Sequence, residues 1–161
     1  MNHQITIREF KEEDIDAVFN VIHRSVDANY TEVYPEDALR MYRHYHSQAN
    51  ILTDAREGFC VVAEEGGEIV GTGTLTDVNV RRVYIAPGHQ GQGIGKKIYR
   101  ALEDRALELK LTRLELGASL IAQAFWESQG FIFEKREDIP TPNGEYLGFF
   151  MMSKHLPEQT G

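Results

Sequence analysis

Glycine is concentrated near the middle of the chain, where four glycines fall within eight residues: Gly88, Gly91, Gly93 and Gly95. They lie between a predicted strand and the first turn of a predicted helix. Glycine at such a place lets the backbone approach a ligand closely and present consecutive N–H groups. The N-terminus of the helix adds about half a positive charge. Together these features predict a phosphate-binding site.

Lys96 and Lys97 support this prediction. Each is a cation in the first turn of the helix, where it opposes the helix macrodipole by roughly a few tenths of a kcal/mol. A bound anion would remove that conflict. The alternative is a glycine-rich helix start without a ligand, in which interior glycines cost about 1 kcal/mol each and gain nothing in return.

Two common nucleotide-binding patterns do not fit this loop. The Walker pattern needs glycine at position 90 and a hydroxyl at position 97, where the chain has Gln90 and Lys97. The dinucleotide pattern G-x-G-x-x-G fails from Gly91, because Lys96 takes the place of its last glycine, and it fails from the next glycine in the same way.

Another pattern does fit. The segment Gln90-Gly-Gln-Gly-Ile-Gly95 resembles the [QR]-x-x-G-x-[GA] motif of the GNAT acetyltransferases, and a predicted strand and Pro87 precede it as in that family. The segment Ser119-Leu-Ile-Ala-Gln-Ala-Phe-Trp-Glu-Ser-Gln-Gly-Phe131 is similar to the family's late motif, N-x-x-A-x-x-F-Y-E-K-x-G-F. The resemblance covers residues 59–153 well. It covers residues 10–58, the expected acceptor side, by element order alone.

This resemblance implies that acetyl-CoA is the cosubstrate. It implies that the coenzyme's pyrophosphate lies on the loop formed by Gln90, Gly91, Gln92, Gly93, Ile94, Gly95 and Lys96. It also implies that the pantetheine arm runs beside the preceding strand, at Val83, Tyr84 and Ile85. Ser119 stands where an asparagine commonly contacts the arm in the family, and Phe125 is implied near the thiol end.

The implied reaction is direct attack of a primary amine on the thioester in a ternary complex. The backbone N–H of Ile85 is the implied donor to the developing oxyanion, and one such donor can be worth ~3 kcal/mol. The family's usual general acid, a tyrosine, maps onto Trp126, whose indole is not a usable acid. Tyr84 and Tyr99 are candidate substitutes, and the sequence selects neither.

The general base is also unassigned. Family members often carry a glutamate at about the position of Asn79, and Asp77 is the nearest candidate base. The departures at Trp126 and Asn79 keep an alternative function open, a non-catalytic acyl-CoA-binding sensor or regulatory module of the same fold. The acceptor itself stays open among a small amine, an amino-acid derivative, an antibiotic and a protein amino terminus.

Several other residues allow two interpretations. His44 and His46 do not share a helix face, and no cysteine or carboxylate completes a metal site, so we expect a solvated or aromatic-packed pair and no metal. The tyrosines before the glycine loop either line an acceptor pocket or are ordinary half-buried helix residues; they are Tyr30, Tyr34, Tyr42 and Tyr45. Cys60 is expected to be a small buried residue. Strand alternation is expected to send Arg81 and Arg82 to opposite faces.

The elements that position these residues follow from apolar periodicity and turn residues. Strands are predicted over residues 3–8, 59–64, 68–76, 80–86, 112–116, 131–137 and 146–152. Helices are predicted over residues 12–30, from Pro35, after the glycine loop with Ile94, Ile98, Leu102 and Leu109 on the core side, and over residues 120–129. The order predicts an α/β fold, a mixed, strongly twisted central sheet flanked by helices.

Composition limits the class of protein. The 161 residues fit one domain over residues 1–161, and 42% hydrophobic with 26% charged residues is typical of a globular protein. The net charge of −8 argues against a nucleic-acid partner. One cysteine and no membrane-length apolar run favour a cytoplasmic protein without a membrane partner. Many members of the family are homodimers, but the sequence shows no clear interface.

Overall fold

The computed structural model describes residues 4–158. Within that range the strands are β1 (Ile5–Glu9), β2 (Phe59–Glu65), β3 (Glu68–Thr76), β4 (Asn79–Ile85), β5 (Arg113–Ala118), β6 (Ile132–Pro140) and β7 (Tyr146–His155). The helices are α1 (Ile15–Asn29), α2 (Glu36–Tyr45), α3 (Gln48–Glu57), α4 (Ile94–Glu108) and α5 (Gln123–Ser128).

The seven described strands form one sheet in the order β1-β2-β3-β4-β5-β7-β6. Every neighbouring pair is antiparallel except β4 and β5, which are parallel. A parallel pair needs a crossover connection, and α4 provides it. The predicted α/β fold with a mixed sheet flanked by helices is therefore confirmed. No helix within residues 4–158 is both long and apolar enough to cross a bilayer.

Two apolar clusters cover the sheet. One packs α4 against the strands through residues such as Ile98 and Leu102. The other packs α1 and α2, through residues such as Ile22 of α1 and Leu39 of α2. The prediction that Leu109 faces the core is wrong, because the side chain is 50% exposed. Helix α4 ends one residue earlier, and Lys110 continues in the left-handed region at φ 61°.

The first and third helices differ from the prediction. A single 3₁₀ turn at Glu12–Asp14 precedes α1, so the α-helix begins three residues later than predicted. Helix α3 was not predicted, because Ile51 is its one buried residue and apolar periodicity therefore gives no signal. Its start is marked by Ser47, whose hydroxyl accepts a hydrogen bond from the Asn50 N–H at 3.2 Å. Residue 3 of the first predicted strand lies outside the described residues.

A β-bulge interrupts the pairing of β3 with β4. Thr72 pairs with Tyr84, and Thr74 pairs with Arg81, so two residues of β4 lie opposite one residue of β3. Arg82 adopts φ 53° at this point, a left-handed conformation that is uncommon for a residue other than glycine. A bulge of this kind bends a strand and increases its local twist.

The bulge explains why one prediction is wrong. Arg81 and Arg82 do not diverge to opposite faces of the sheet, because the extra residue breaks the alternation between them. Both guanidinium groups contact the same carboxylate, Asp54 on α3. The two arginines therefore act together, and they join β4 to α3.

The close approach of α4 to β3 depends on glycine. A Cβ atom at Gly71 would lie 2.8 Å from Ile98 Cδ1, closer than real contacts allow. We expect Gly71→Ala to destabilise the protein by about 1 to 3 kcal/mol through overpacking, and Ile98→Val to cost about 1 kcal/mol. In the double variant the Cδ1 methyl of residue 98 is absent. The destabilisation should therefore be about 1 kcal/mol smaller than the sum of the two single-variant values. Urea unfolding of the four proteins measures this coupling.

The control for this cycle pairs Ile98→Val with Gly117→Ala. An added Cβ at Gly117 meets Phe149 rather than Ile98. The two free-energy changes should then add within about 0.5 kcal/mol. Additivity in the Gly71 cycle would contradict the proposed contact.

Candidate active site

Strands β4 and β5 separate to form a cleft. They pair at one position, Asn79 with Glu115, where the Glu115 N–H donates to the Val78 carbonyl at 2.8 Å. Beyond this point the described strands share no ladder. Two cavities occupy the resulting space, a large cavity of about 400 Å³ and a small cavity of about 280 Å³.

The small cavity follows β4 towards the glycine loop. Val83, Tyr84 and Ile85 line it on one side, and Gln90 and Gly95 line it at the loop. The Ala86 N–H donates to the Val70 carbonyl of β3 at 2.8 Å. Because consecutive amides of a strand point to opposite edges, the Ile85 N–H points away from β3, towards the cleft. The donor predicted from the sequence is thus on the edge that faces the cavity.

The glycine loop has the backbone conformation that its composition suggested. Gly88, Gly91 and Gly93 all have positive φ, and Gly93 directly precedes α4. Gly91, Gln92, Gly93 and Lys96 are exposed around the start of the helix. A Cβ atom at Gly95 would lie 3.2 Å from the Phe125 ring. The helix N-terminus and the ring therefore bound the small cavity closely, and Ile94 is buried beneath it.

Ser119 has an unusual environment. It is 7% exposed, and its Oγ atom has no hydrogen-bond partner in the described part of the chain, although the Tyr30 hydroxyl lies near it. Leaving a buried hydroxyl unpaired costs about 1 to 3 kcal/mol. Ser119 lines both cavities, so a ligand in the cleft can supply the missing partner. The pantetheine amides of coenzyme A fit this requirement.

The two cavities share six lining residues, which define their junction: Tyr30, Val83, Tyr84, Ser119, Ala122 and Trp126. A ligand that enters along β4 and a second ligand in the large cavity would meet there. The junction therefore has the arrangement needed for a transfer between two bound molecules.

The aromatic residues at the junction separate the candidate substitutes for the missing tyrosine. Trp126 is packed edge-on against Tyr99, Phe125 and Phe131, at 5.7, 4.8 and 5.4 Å between ring centroids. Tyr99 lies behind it and lines neither cavity. Tyr84 lines both. The structure brings Tyr84 to the junction and leaves Tyr99 in the core.

A hydrogen-bonded chain fixes the Tyr84 hydroxyl. Arg82 Nε donates to His46 Nδ1 at 3.0 Å, and His46 Nε2 lies 3.1 Å from Tyr84 Oη. Burial, followed by the charge of Arg82, lowers the pKa of His46 to about 3, so the ring is neutral near pH 7. Since Nδ1 accepts, the proton sits on Nε2 and is donated to Tyr84. The proton of the Tyr84 hydroxyl then points to a different acceptor at the junction, where the Tyr30 hydroxyl also lies near it.

Arg82 anchors this chain. Besides His46, its guanidinium donates to Asp54 and to the Tyr45 carbonyl, the latter at 3.1 Å. The two histidines were expected to be solvated or packed against aromatic rings. His44 is exposed, and His46 is packed among aromatic rings. Within residues 4–158 no three His, Cys, Asp or Glu side chains are grouped so that they could bind a metal ion. Cys60 is buried as predicted, and burial raises the pKa of its thiol.

The four tyrosines divide between the two interpretations. Tyr30, Tyr42 and Tyr45 line the large cavity. Tyr34 does not, because its hydroxyl accepts from the Leu120 N–H at 2.9 Å and donates to the Gly148 carbonyl at 3.0 Å. Tyr34 therefore joins the segment between α1 and α2 to the segment after β5 and to β7.

The candidate base does not reach the cleft. Asp77 is exposed in the two-residue turn between β3 and β4, with φ 52°, and it lines neither cavity. Asn79 does line the large cavity, but its amide cannot act as a base. The other walls were not predicted from the sequence. They come from α2, β6 and β7: Met41, Ile139, Leu147, Phe149 and Met151. Their spacing is that of ordinary core residues.

Comparison with known proteins assigns the family. A sequence model of the acetyltransferase (GNAT) family matches residues 19–131. The chain belongs to this family. Acetyl-CoA is the cosubstrate of GNAT acetyltransferases, and the unpartnered Ser119 hydroxyl and the glycine loop fit it. No protein of curated function matches the chain significantly.

Solved structures share the fold of this acetyltransferase. The GCN5-related N-acetyltransferase from Rhodopseudomonas palustris has a TM-score of 0.86 at 22% identity, over 97% of this chain and 98% of that one. PaiA N-acetyltransferase from Thermoplasma acidophilum, solved with coenzyme A, has 0.78 at 19%, over 95% and 99%. YncA from Salmonella typhimurium, solved with acetyl-CoA, has 0.68 at 21%, over 98% and 97%.

The buried, neutral His46 predicts acid sensitivity. The folded-state pKa of about 3 lies below the ordinary value of 6.5, so between these values the unfolded chain binds a proton that the folded protein excludes. Stability is therefore lost as the pH falls through this window, by about 2 kcal/mol at pH 5. We expect His46→Gln to abolish that part of the loss when urea unfolding is compared at pH 7.5 and pH 5. The matched control His44→Gln, an exposed histidine on α2, should keep the wild-type loss.

Proposed function

We propose that this protein is an acetyl-CoA-dependent N-acetyltransferase that moves an acetyl group to a primary amine by direct attack in a ternary complex. The observation that carries the proposal is the junction, where a cleft along β4 meets a second cavity beside the hydroxyl of Tyr84. Two sites that meet at one point allow both substrates to be bound together. Family membership and the structural neighbours that hold coenzyme A or acetyl-CoA support this assignment.

The glycine loop and the cleft support a position for the coenzyme in this proposal. Its pyrophosphate lies on the backbone from Gln90 to Lys96, where the N-terminus of α4 supplies partial positive charge. The pantetheine arm follows Val83 to Ile85 in the small cavity, with Ser119 as a polar partner and Phe125 beside the thiol end. This placement directs the thioester to the junction.

Bound acetyl-CoA supplies a thioester carbonyl that an amine can attack. In the transfer a carbon–nitrogen bond forms and the carbon–sulfur bond breaks. The nitrogen loses one proton to water, and the sulfur leaves as a thiolate that takes one proton from water. The Ile85 N–H donates to the carbonyl oxygen as it becomes negative. Tyr84 donates a hydrogen bond to the sulfur as negative charge develops there. Burial raises the pKa of Tyr84 well above its ordinary value, so its hydroxyl stays protonated and acts as a donor.

The amine loses its proton to water in this proposal. No aspartate or glutamate lines either cavity, and Asp77 is held in a turn away from them. An amine whose neutral form is a usable fraction near pH 7 needs no enzymatic base. The same observation favours the second candidate, an acyl-CoA-binding sensor without turnover, because Trp126 also replaces the usual acid. Binding of acetyl-CoA without thiol release against any amine would favour the sensor.

The coenzyme assignment predicts the behaviour of Lys96. Calorimetric titration with acetyl-CoA, coenzyme A and ATP in turn should show micromolar binding of the first two and none of ATP. Lys96→Glu reverses a charge beside the phosphates and should weaken acetyl-CoA binding about 10- to 30-fold. The matched control Lys110→Glu changes the net charge equally at the other end of α4 and should bind as wild type. Failure of the wild-type protein to bind either coenzyme would overturn the proposal.

The role of Tyr84 gives a kinetic prediction. Removing its hydroxyl in Tyr84→Phe should lower kcat for thiol release roughly 100-fold, as for loss of one donor to developing charge. Acetyl-CoA affinity, measured by calorimetry, should change little, because the loop and helix N-terminus are intact. The control is Tyr99→Phe, which removes a hydroxyl from the other candidate, outside both cavities, and should keep full activity. Equal losses in both variants would contradict the assignment to Tyr84.

A further inference from the structure

The charged side chains that line the large cavity are all positive. Among the residues that line it, the charged side chains are Arg81 and Arg82, and no aspartate or glutamate is present. The histidine in the lining, His46, is neutral because burial lowers its pKa to about 3. Asp54 neutralises one of the two arginines from outside the lining, which leaves a formal charge of +1 on this wall.

This local charge outweighs the net charge of the protein for a bound molecule. The chain carries −8 overall, but exposed charges more than about 8 Å away are largely screened at physiological salt. A ligand in the cavity contacts the wall directly, in a space from which water is partly excluded. A polycationic acceptor would therefore meet repulsion with no carboxylate to offset it.

Arg82 is not the group that meets a ligand. Its side chain is 2% exposed, and Nε, Nη1 and Nη2 are all used, by His46, Asp54 and the Tyr45 carbonyl. Arg82 forms a structural ion pair with Asp54 at the bulge.

Arg81 has capacity left. Its side chain is 34% exposed, and a single nitrogen, Nη1, contacts Asp54, at 3.3 Å from both carboxylate oxygens. Charge-assisted hydrogen bonds are usually 2.7 to 2.9 Å long, so this contact is a weak one. Nε and Nη2 have no partner among residues 4–158. They form the paired edge of a guanidinium that binds carboxylates in a bidentate manner.

Most of the remaining wall is apolar or aromatic, with Asn79 and Ser119 as uncharged polar exceptions. The apolar and aromatic residues include Met41, Tyr42, Ile139, Leu147, Phe149 and Met151. The space of about 400 Å³ is at the lower end of the range for small-molecule sites. This lining favours an aliphatic or aromatic body, and Arg81 lies on β4 two residues before Val83 at the junction.

From this arrangement we infer that the acceptor is a small amine with an apolar or aromatic body and a carboxylate, such as an apolar α-amino acid, and that Arg81 binds the carboxylate. The inference rests on the proposed function for the reaction, and on the cavity alone for the binding. The amine is acetylated at the junction while its carboxylate is held by Nε and Nη2 of Arg81.

Matched substrates test the inference. Thiol release is measured for phenylalanine, phenethylamine, which lacks the carboxylate, and spermidine, with wild type and Arg81→Gln. We expect phenylalanine to be the best substrate, and the variant to lower its kcat/KM about 10- to 100-fold, as for loss of a charged hydrogen-bond pair. The value for phenethylamine should stay within about twofold. The variant-to-wild-type ratio for each substrate cancels differences in intrinsic amine reactivity.

The control variant is Arg40→Gln. Arg40 is an exposed arginine on α2 that pairs with Glu36 and Asp37 and lines neither cavity. It should leave all three substrates unaffected. Urea unfolding of Arg81→Gln checks that the fold, including the Arg82 contact with Asp54, is intact.

A binding measurement separates this inference from the proposed function. 3-Phenylpropionate has the carboxylate and the ring but no amine, so it cannot be acetylated. Titrated into the protein saturated with coenzyme A, it should bind to wild type and lose at least tenfold in affinity with Arg81→Gln. Binding of this probe without turnover of any amine would support the carboxylate site and contradict the enzyme. Turnover with equal or better use of phenethylamine or spermidine, unaffected by Arg81→Gln, would overturn the inference.

Discussion

The guanidinium of Arg82 is buried at a bulge in β4, and the shape of the cleft depends on the contacts that hold it there. A non-glycine residue in the left-handed region costs on the order of 1 to 3 kcal/mol, and a buried cation costs more unless it is paired. Arg82 is paired on every side, with Asp54, His46 and the Tyr45 carbonyl. These partners come from α3 and from the end of α2, so the acceptor-side helices hold the bulge in place. Strand β4 can then leave β5 after a single paired position.

The same contact organises the chemistry of the junction. Because Arg82 donates to Nδ1 of His46, the imidazole must present its Nε2 proton to Tyr84. The hydroxyl of Tyr84 is thereby left as a donor at the junction, where the family's usual tyrosine is replaced by Trp126, whose indole is not a usable acid. The structural ion pair of Arg82 therefore sets the direction of a hydrogen bond at Tyr84, two residues further along the strand.

The parts of the site that have a recognisable local sequence pattern could be predicted from the sequence. The glycine loop, the strand before it and the Ser119 segment have strong local patterns, and the structure places them around one cavity. Helix α3 and the bulge could not be predicted. Helix α3 buries one apolar residue, and the bulge depends on Asp54, a carboxylate 28 positions away that no local pattern connects to Arg82. The error about Arg81 and Arg82 follows from that missing long-range partner.

The sharing of Asp54 also links the shape of the site to its selectivity. Asp54 contacts both guanidinium groups, and the buried one, Arg82, has the closer contact, because leaving it unpaired would cost most. Arg81 receives the longer contact and keeps a free edge on the cavity wall. The positive wall is thus a consequence of how the bulge is stabilised. A fold that bent β4 with an apolar residue in place of Arg82 would leave Asp54 to pair fully with Arg81, and the wall would lose the charge by which we expect it to choose its acceptor.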